Sequence, residues 1–223
     1  MEKHPEVNLT FGGVFWIRND DDPVPEVDPR GQTANWTVLT GKELLEGFCR
    51  AGTGDRASAS TVVVRTAALK RVGHYRAELP TTCDMELWMR FACLGKVAEI
   101  DALQAIGRVH SSSLSAELNP LEWEFHREAA FDSFFTHEGA LIPDAKRLRR
   151  LARRALSERT YWGAVASLFR GDPQQSLAFM KFALTRYPAS AVVPPFGYLR
   201  RRDRAFHHIA EILFSAAKQI VAH

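Results

Sequence analysis

Hydrophobic and polar positions follow two regimes along the chain. The first begins with Val7–Ile17 (VNLTFGGVFWI), apolar enough to predict a strand, in which Gly12-Gly13 invites a bulge or a close backbone approach. Asp20-Asp21-Asp22-Pro23 then predicts a turn into a polar, proline-containing loop that reaches about Thr37. Thr40-Gly41-Lys42-Glu43 reads as a helix start, with Thr40 as N-cap and Glu43 closing a capping box. After the Gly- and Ser-rich stretch 51–58, the β-branched run Ser60–Val64 predicts a buried strand, and Thr66–Val72 a short helix that Gly73 can end. Asp84, Leu87, Trp88 and Phe91 recur at i, i+3, i+4 and i+7, predicting a helix over Asp84–Leu94 stopped by Gly95. Val97–Ile100 and Ala105–Val109 are expected as two short strands joined near Asp101.

From about Leu121 the period is helical. Trp123–Phe135, Pro143–Arg170 and Pro173–Tyr187 each predict a helix, and Phe206, Ile209, Leu213, Ala216 and Ile220 line one face of a terminal amphipathic one. The expected organisation is an α/β body over residues 1–118 with a mixed sheet and flanking helices, followed by an all-α C-terminal extension over 119–223.

Charge reinforces that division. Up to Pro143 fourteen Lys and Arg stand against twenty-one Asp and Glu; beyond it the numbers are fifteen and five. An acidic body thus carries a basic tail, which could attract an anionic membrane surface. Little aromatic interleaving accompanies the basic residues, so nucleic acid is not an expected partner. Cys49, Cys83 and Cys93 show no C-x-x-C spacing, which argues against a disulfide framework or structural zinc. Without an apolar leader at residues 1–10 or a run of about 18 apolar residues, the chain is expected to be cytoplasmic, with peripheral contact at the inner face of the membrane.

Few residues carry candidate chemistry. Asp84, at a predicted helix start, is expected to stay ionised beside the free N–H groups, and can serve either as a cap or as a proton acceptor facing a cleft. Glu86 and Arg90 are spaced i, i+4, as in a surface ion pair. Arg108 and His110 follow a strand and lead into a Ser-rich loop, where an Arg suits a phosphate and a His a metal, or both are simply surface residues. Asp20–Asp22 fits a hairpin loop as well as a cation site.

The order of elements over residues 59–115 resembles the C-terminal half of the catalytic domain of family 2 glycosyltransferases, which have the GT-A fold. The residues that carry the resemblance are Arg65, Leu69, Gly73, Tyr75, Leu79-Pro80, Asp84, Leu87, Trp88, Arg90, Gly95, Arg108, His110 and Ser115. Upstream, HPEVNLTFGGVFWIRNDDD and Thr40–Leu45 are similar to the family's preceding strand, hairpin and helix. The resemblance implies inverting transfer of a sugar from a nucleotide-sugar donor to a glycan or lipid-linked acceptor, with Asp84 as base. Glu86, Trp88 and Arg90 would border the acceptor, Arg108 the diphosphate, and His110 a divalent metal, Mn or Mg. Cys83 replaces the family's Glu before the base, and Gly73-His74-Tyr75 its Gly-Gly-Phe. The nucleotide-binding half and its Asp-x-Asp motif have no counterpart, so the chain is expected to be N-terminally truncated and inactive by itself. The other expectation is a non-catalytic interaction module whose basic tail docks to a partner or a membrane.

Overall fold

A computed structural model describes residues 1–18, 21–25, 34–110, 113 and 117–201. The chain divides into two compact units, Met1–Arg149 and Arg150–His223. The first is a mixed α/β body, whose strands β1 (Val7–Ile17), β2 (Trp36–Leu39), β3 (Val63–Val64) and β4 (Lys96–Arg108) form a sheet in the order β2-β4-β1-β3. β1 and β4 run parallel at the centre, while β2 and β3 lie antiparallel at the edges. Along the chain α1 (Gly41–Ala51) lies between β2 and β3, and α2 (Thr66–Val72) and α3 (Cys83–Ala92) lie between β3 and β4.

Period-2 alternation buries Val7, Leu9 and Phe11 of β1 together with Val97 of β4. The expected capping box forms on α1: the Glu43 N–H donates to Thr40 Oγ1 at 3.2 Å and the Thr40 N–H to Glu43 Oε2 at 2.7 Å. Leu44, Leu45, Phe48 and Cys49 then turn into the core. In α3 every residue from Met85 to Ala92 is buried, which makes it the central helix of the unit.

Three elements differ from the sequence reading. The two short strands expected at 97–109 are a single strand, β4, interrupted by a bulge rather than a turn. Gly12 pairs with Ile100, Gly13 with Leu103 and Val14 with Ala105. The glycines make room for it, since a Cβ on Gly12 would lie 2.5 Å from Gln104 Cγ and 2.7 Å from Ile100 Cγ2. The buried strand expected at Ser60–Val64 shrinks to the edge pair Val63–Val64, with Val63 60% exposed, because Thr61 is held in a turn by Ser58 O. Finally, α4 (Pro120–Thr136) packs on α3 and buries Phe131, Phe134 and Phe135, so the first unit runs on to Arg149 rather than ending at residue 118.

The second unit contains residues 150–169 of α5 (Ala145–Phe169), with α6 (Pro173–Arg186) and α7 (Phe196–Arg201). α5 and α6 form an antiparallel hairpin: Gly163 meets Phe179, and the Ser157 hydroxyl donates to Ala183 O at 2.8 Å. Gly171, at φ 77°, makes the turn, and Asp172 caps α6. The amphipathic helix expected at 206–220 lies outside the described residues. No helix among the described residues is long and apolar enough to cross a membrane.

A Cβ on Gly41, the first residue of α1, would overlap the Ala92 carbonyl oxygen and sit 2.8 Å from Gly95 O. Gly41→Ala is therefore expected to lower the stability of the first unit by about 1–3 kcal/mol, read as a drop in the urea-unfolding midpoint with an unchanged slope.

Candidate active site

The first unit holds a cleft of about 560 Å³. Its walls come from β1 between Gly12 and Trp16, the Thr53–Ser58 loop that follows α1, the start of α3, and Trp123 and Arg127 of α4. Asp84 lines it from the first turn of α3.

Asp84 is not the cap of its helix. Thr82 holds that position without a side-chain cap bond, and Asp84 Oδ1 accepts instead from the adjacent Met85 N–H at 2.6 Å. Burial is the largest influence on its carboxyl group and pushes the pKa above its ordinary value. The Met85 and Asp84 backbone N–H groups oppose that shift, and the nearby Asp55 charge adds to it. The helix terminus, expected to favour the charged form, is outweighed by desolvation. Among the described residues no Lys or Arg pairs with Asp84. The result is a carboxylate with raised proton affinity facing a cleft, the property a general base needs.

Both guanidinium groups in the cleft are already matched. Arg56 grips Glu99 through Nε and a terminal nitrogen, and Arg127 donates to Glu124 Oε1 at 2.9 Å and approaches Asp55 at 3.9 Å. Arg127 also lies over the Trp123 ring, 5.2 Å from its centroid. Hydrogen bonds from Thr81 to the His126 ring and from Thr82 Oγ1 to His126 O, the latter 3.0 Å, tie α4 to the start of α3.

The other residues singled out in the sequence lie elsewhere. Glu86 and Arg90 are not a surface pair but part of a buried network. Glu86 has no exposed side-chain surface; Arg90 donates to it at 2.9 Å and Arg76 at 2.6 Å. Arg90 also donates to the Val72 and His74 carbonyls at 2.7 Å each, and Arg76 bonds Ser133 Oγ and Glu138. Trp88 is buried against Phe91, and its indole N–H has no hydrogen-bond partner among the described residues. None of these three reaches the cleft. Arg108 ends β4 and His110 lies just beyond; both are exposed, and neither lines the cleft. Asp22 accepts the Arg18 N–H at 2.6 Å, while Asp20 and Ser115 lie outside the described residues. Among the described residues no three His, Cys, Asp or Glu side chains converge, so those present do not fit a metal centre. Burial pushes the Cys49 thiol up to about 12 and also raises Cys83, which disfavours the thiolate at both.

Trp16, Asp55, Trp123 and Arg127 were not singled out by the sequence. Their periodicity marks them only as strand, loop and helix positions, and only folding brings them to Asp84.

Two measurements check this arrangement. Because the folded-state pKa of Asp84 is raised, its stabilising contribution is complete below the unfolded value of about 4 and is lost as pH rises through the folded value. Asp84→Asn is thus expected to raise Tm by about 2–4 °C at pH 7 and to leave it unchanged at pH 3. Glu86→Ala leaves the buried Arg90 guanidinium without its carboxylate and takes one of two from Arg76, and is expected to cost about 3–5 kcal/mol in urea unfolding. Comparison of the chain with family models, with curated proteins and with solved structures gives no match.

Proposed function

We propose that this chain supplies the acceptor side and the general base of an inverting, nucleotide-sugar-dependent glycosyltransferase similar to family 2 members with the GT-A fold. The observation that carries the reading is Asp84, a carboxylate without a basic partner, raised in proton affinity by burial and opening on a cleft large enough for a sugar ring. The central parallel pair β1–β4, with α3 leading into β4, supports the same reading.

In this mechanism a carboxylate oxygen of Asp84 accepts the proton of an acceptor hydroxyl. The oxygen of that acceptor hydroxyl forms a bond to the anomeric carbon from the side opposite the leaving group. The bond from the anomeric carbon to the phosphate oxygen breaks, the nucleoside diphosphate leaves with the electron pair, and configuration at the carbon inverts. The donor, with any divalent cation, would be held by a nucleotide-binding half, and the resemblance would assign Arg108 to the diphosphate and His110 to the cation. The described residues of this chain do not form such a half, so the chain by itself is expected to transfer no sugar.

The test joins the full chain to a donor-binding half and follows transfer from labelled nucleotide sugars. Asp84→Asn is expected to lower transfer by a factor of about 10²–10⁴ with nucleotide binding retained, and transfer by the unsubstituted chain to fall as pH drops and Asp84 is protonated. Transfer that survives the substitution would remove Asp84 as the base. The competing reading, a non-catalytic docking module, draws on the exposed Trp36 and Val63 of the two edge strands. Capture of a partner by this chain, with no transfer under any of these conditions, would favour it.

A further inference from the structure

Trp16 occupies an unusual position for a large aromatic residue. It is 58% exposed, yet its ring lies flat on the neighbouring strand. It pairs in register with Gly107 of β4. A Cβ built on Gly107 would be equally close to Trp16 Cε3 and Cζ3 and only 3.0 Å from Cδ2. A point approaching that ring edge-on would lie farther from Cδ2, so the glycine sits beneath the ring face. Covering a strand glycine with an aromatic ring fixes the indole, and Trp16, more than half exposed, lines the Asp84 cleft.

No aromatic or cationic side chain stacks on Trp16 among the described residues, whereas the Trp123 ring already carries Arg127. The charges in the cleft narrow the ligand further. Arg56 is neutralised by Glu99, and Arg127 by Glu124 and Asp55, while Asp84 adds negative charge. A phosphate or carboxylate would find both guanidinium groups already paired and a carboxylate nearby. A neutral pyranose meets no such penalty: it offers an apolar C–H face to the indole and a rim of hydroxyls to the carboxylate. We infer that the cleft takes a neutral pyranose as acceptor, its ring stacked on Trp16. The inference rests on the proposed role of Asp84 for the acceptor's fate, but the binding itself can be read without any donor.

The experiment is saturation-transfer NMR on the full chain with methyl β-glucopyranoside, methyl α-mannopyranoside, maltotriose and triacetylchitotriose, with octyl phosphate as the lipid-phosphate probe. The ring C–H protons of at least one neutral glycoside are expected to saturate, and octyl phosphate is expected not to displace it. Trp16→Leu keeps an apolar cover on Gly107, and Gly107→Ala keeps the indole but lifts it from the sheet. Each is expected to weaken that binding about tenfold in a chain whose circular dichroism is unchanged. Saturation of none of the four, equal binding in both variants, or displacement by octyl phosphate would overturn the inference. A glycoside bound through Trp16 but never glycosylated by the completed enzyme leaves the pyranose site on Trp16 standing and removes its role as acceptor along with the proposed reaction. Transfer indifferent to both variants does the reverse.

Discussion

The buried carboxylate of Glu86, held between the guanidinium groups of Arg76 and Arg90, is the constraint on which the first unit turns. Burial pushes its pKa upward and the two arginines pull against that shift without reversing it. The three charges persist because each finds further partners: Arg90 in the Val72 and His74 carbonyls, Arg76 in Ser133 and Glu138. Those partners belong to the end of α2 and the segment after it, to α4, and to the short 3₁₀ turn at Glu138–Leu141. One side chain of α3 thereby fixes the position of three neighbouring segments, and the position of α3 fixes Asp84.

Asp84 and Glu86 are two residues apart on one helix and meet opposite fates. A step of two residues turns about 200° around the axis, so Asp84 and Glu86 leave α3 on nearly opposite sides. Glu86 is matched by two cations, whereas Asp84 has none among the described residues and accepts the Met85 N–H. The same helix therefore carries one carboxylate held by two arginines in the interior and another, with no cation beside it, in a cleft.

Much of this was legible in the sequence because it is local. The span of β1, the capping box of α1, the short helix α2 and the hairpin of α5 and α6 all follow from patterns that need no knowledge of distant residues. The failures were long-range. An i, i+4 Glu–Arg pair has the same spacing on a surface as in a core, and nothing in Glu86-Leu87-Trp88-Met89-Arg90 announces that Arg76 will complete the network. The run Ser60–Val64 is β-branched enough for a central strand, but it finds only β1 to pair with. The placement of α4 was lost for the same reason: its phenylalanines fit any helix–helix contact, and only the α3 surface they cover joins them to the sheet unit.

The bulge in β4 shows how such a long-range choice builds the cleft. From Gly12 to Trp16 is four steps on β1, but their partners, Ile100 and Gly107, lie seven steps apart on β4. In unbroken register Trp16 would face Gln104, whose Cβ and side chain would stand where the indole now lies. The three additional residues are accommodated beside Gly12 and Gly13, the two positions of β1 that carry no Cβ. The glycine pair therefore does more than tolerate an irregular ladder. By absorbing the extra residues it shifts the last third of β4 until a second glycine, Gly107, comes beneath Trp16, and the indole can lie flat along the same wall that leads to Asp84. An aromatic surface and a carboxylate some seventy residues apart in sequence are brought into one cleft by three glycines that hold no chemistry themselves.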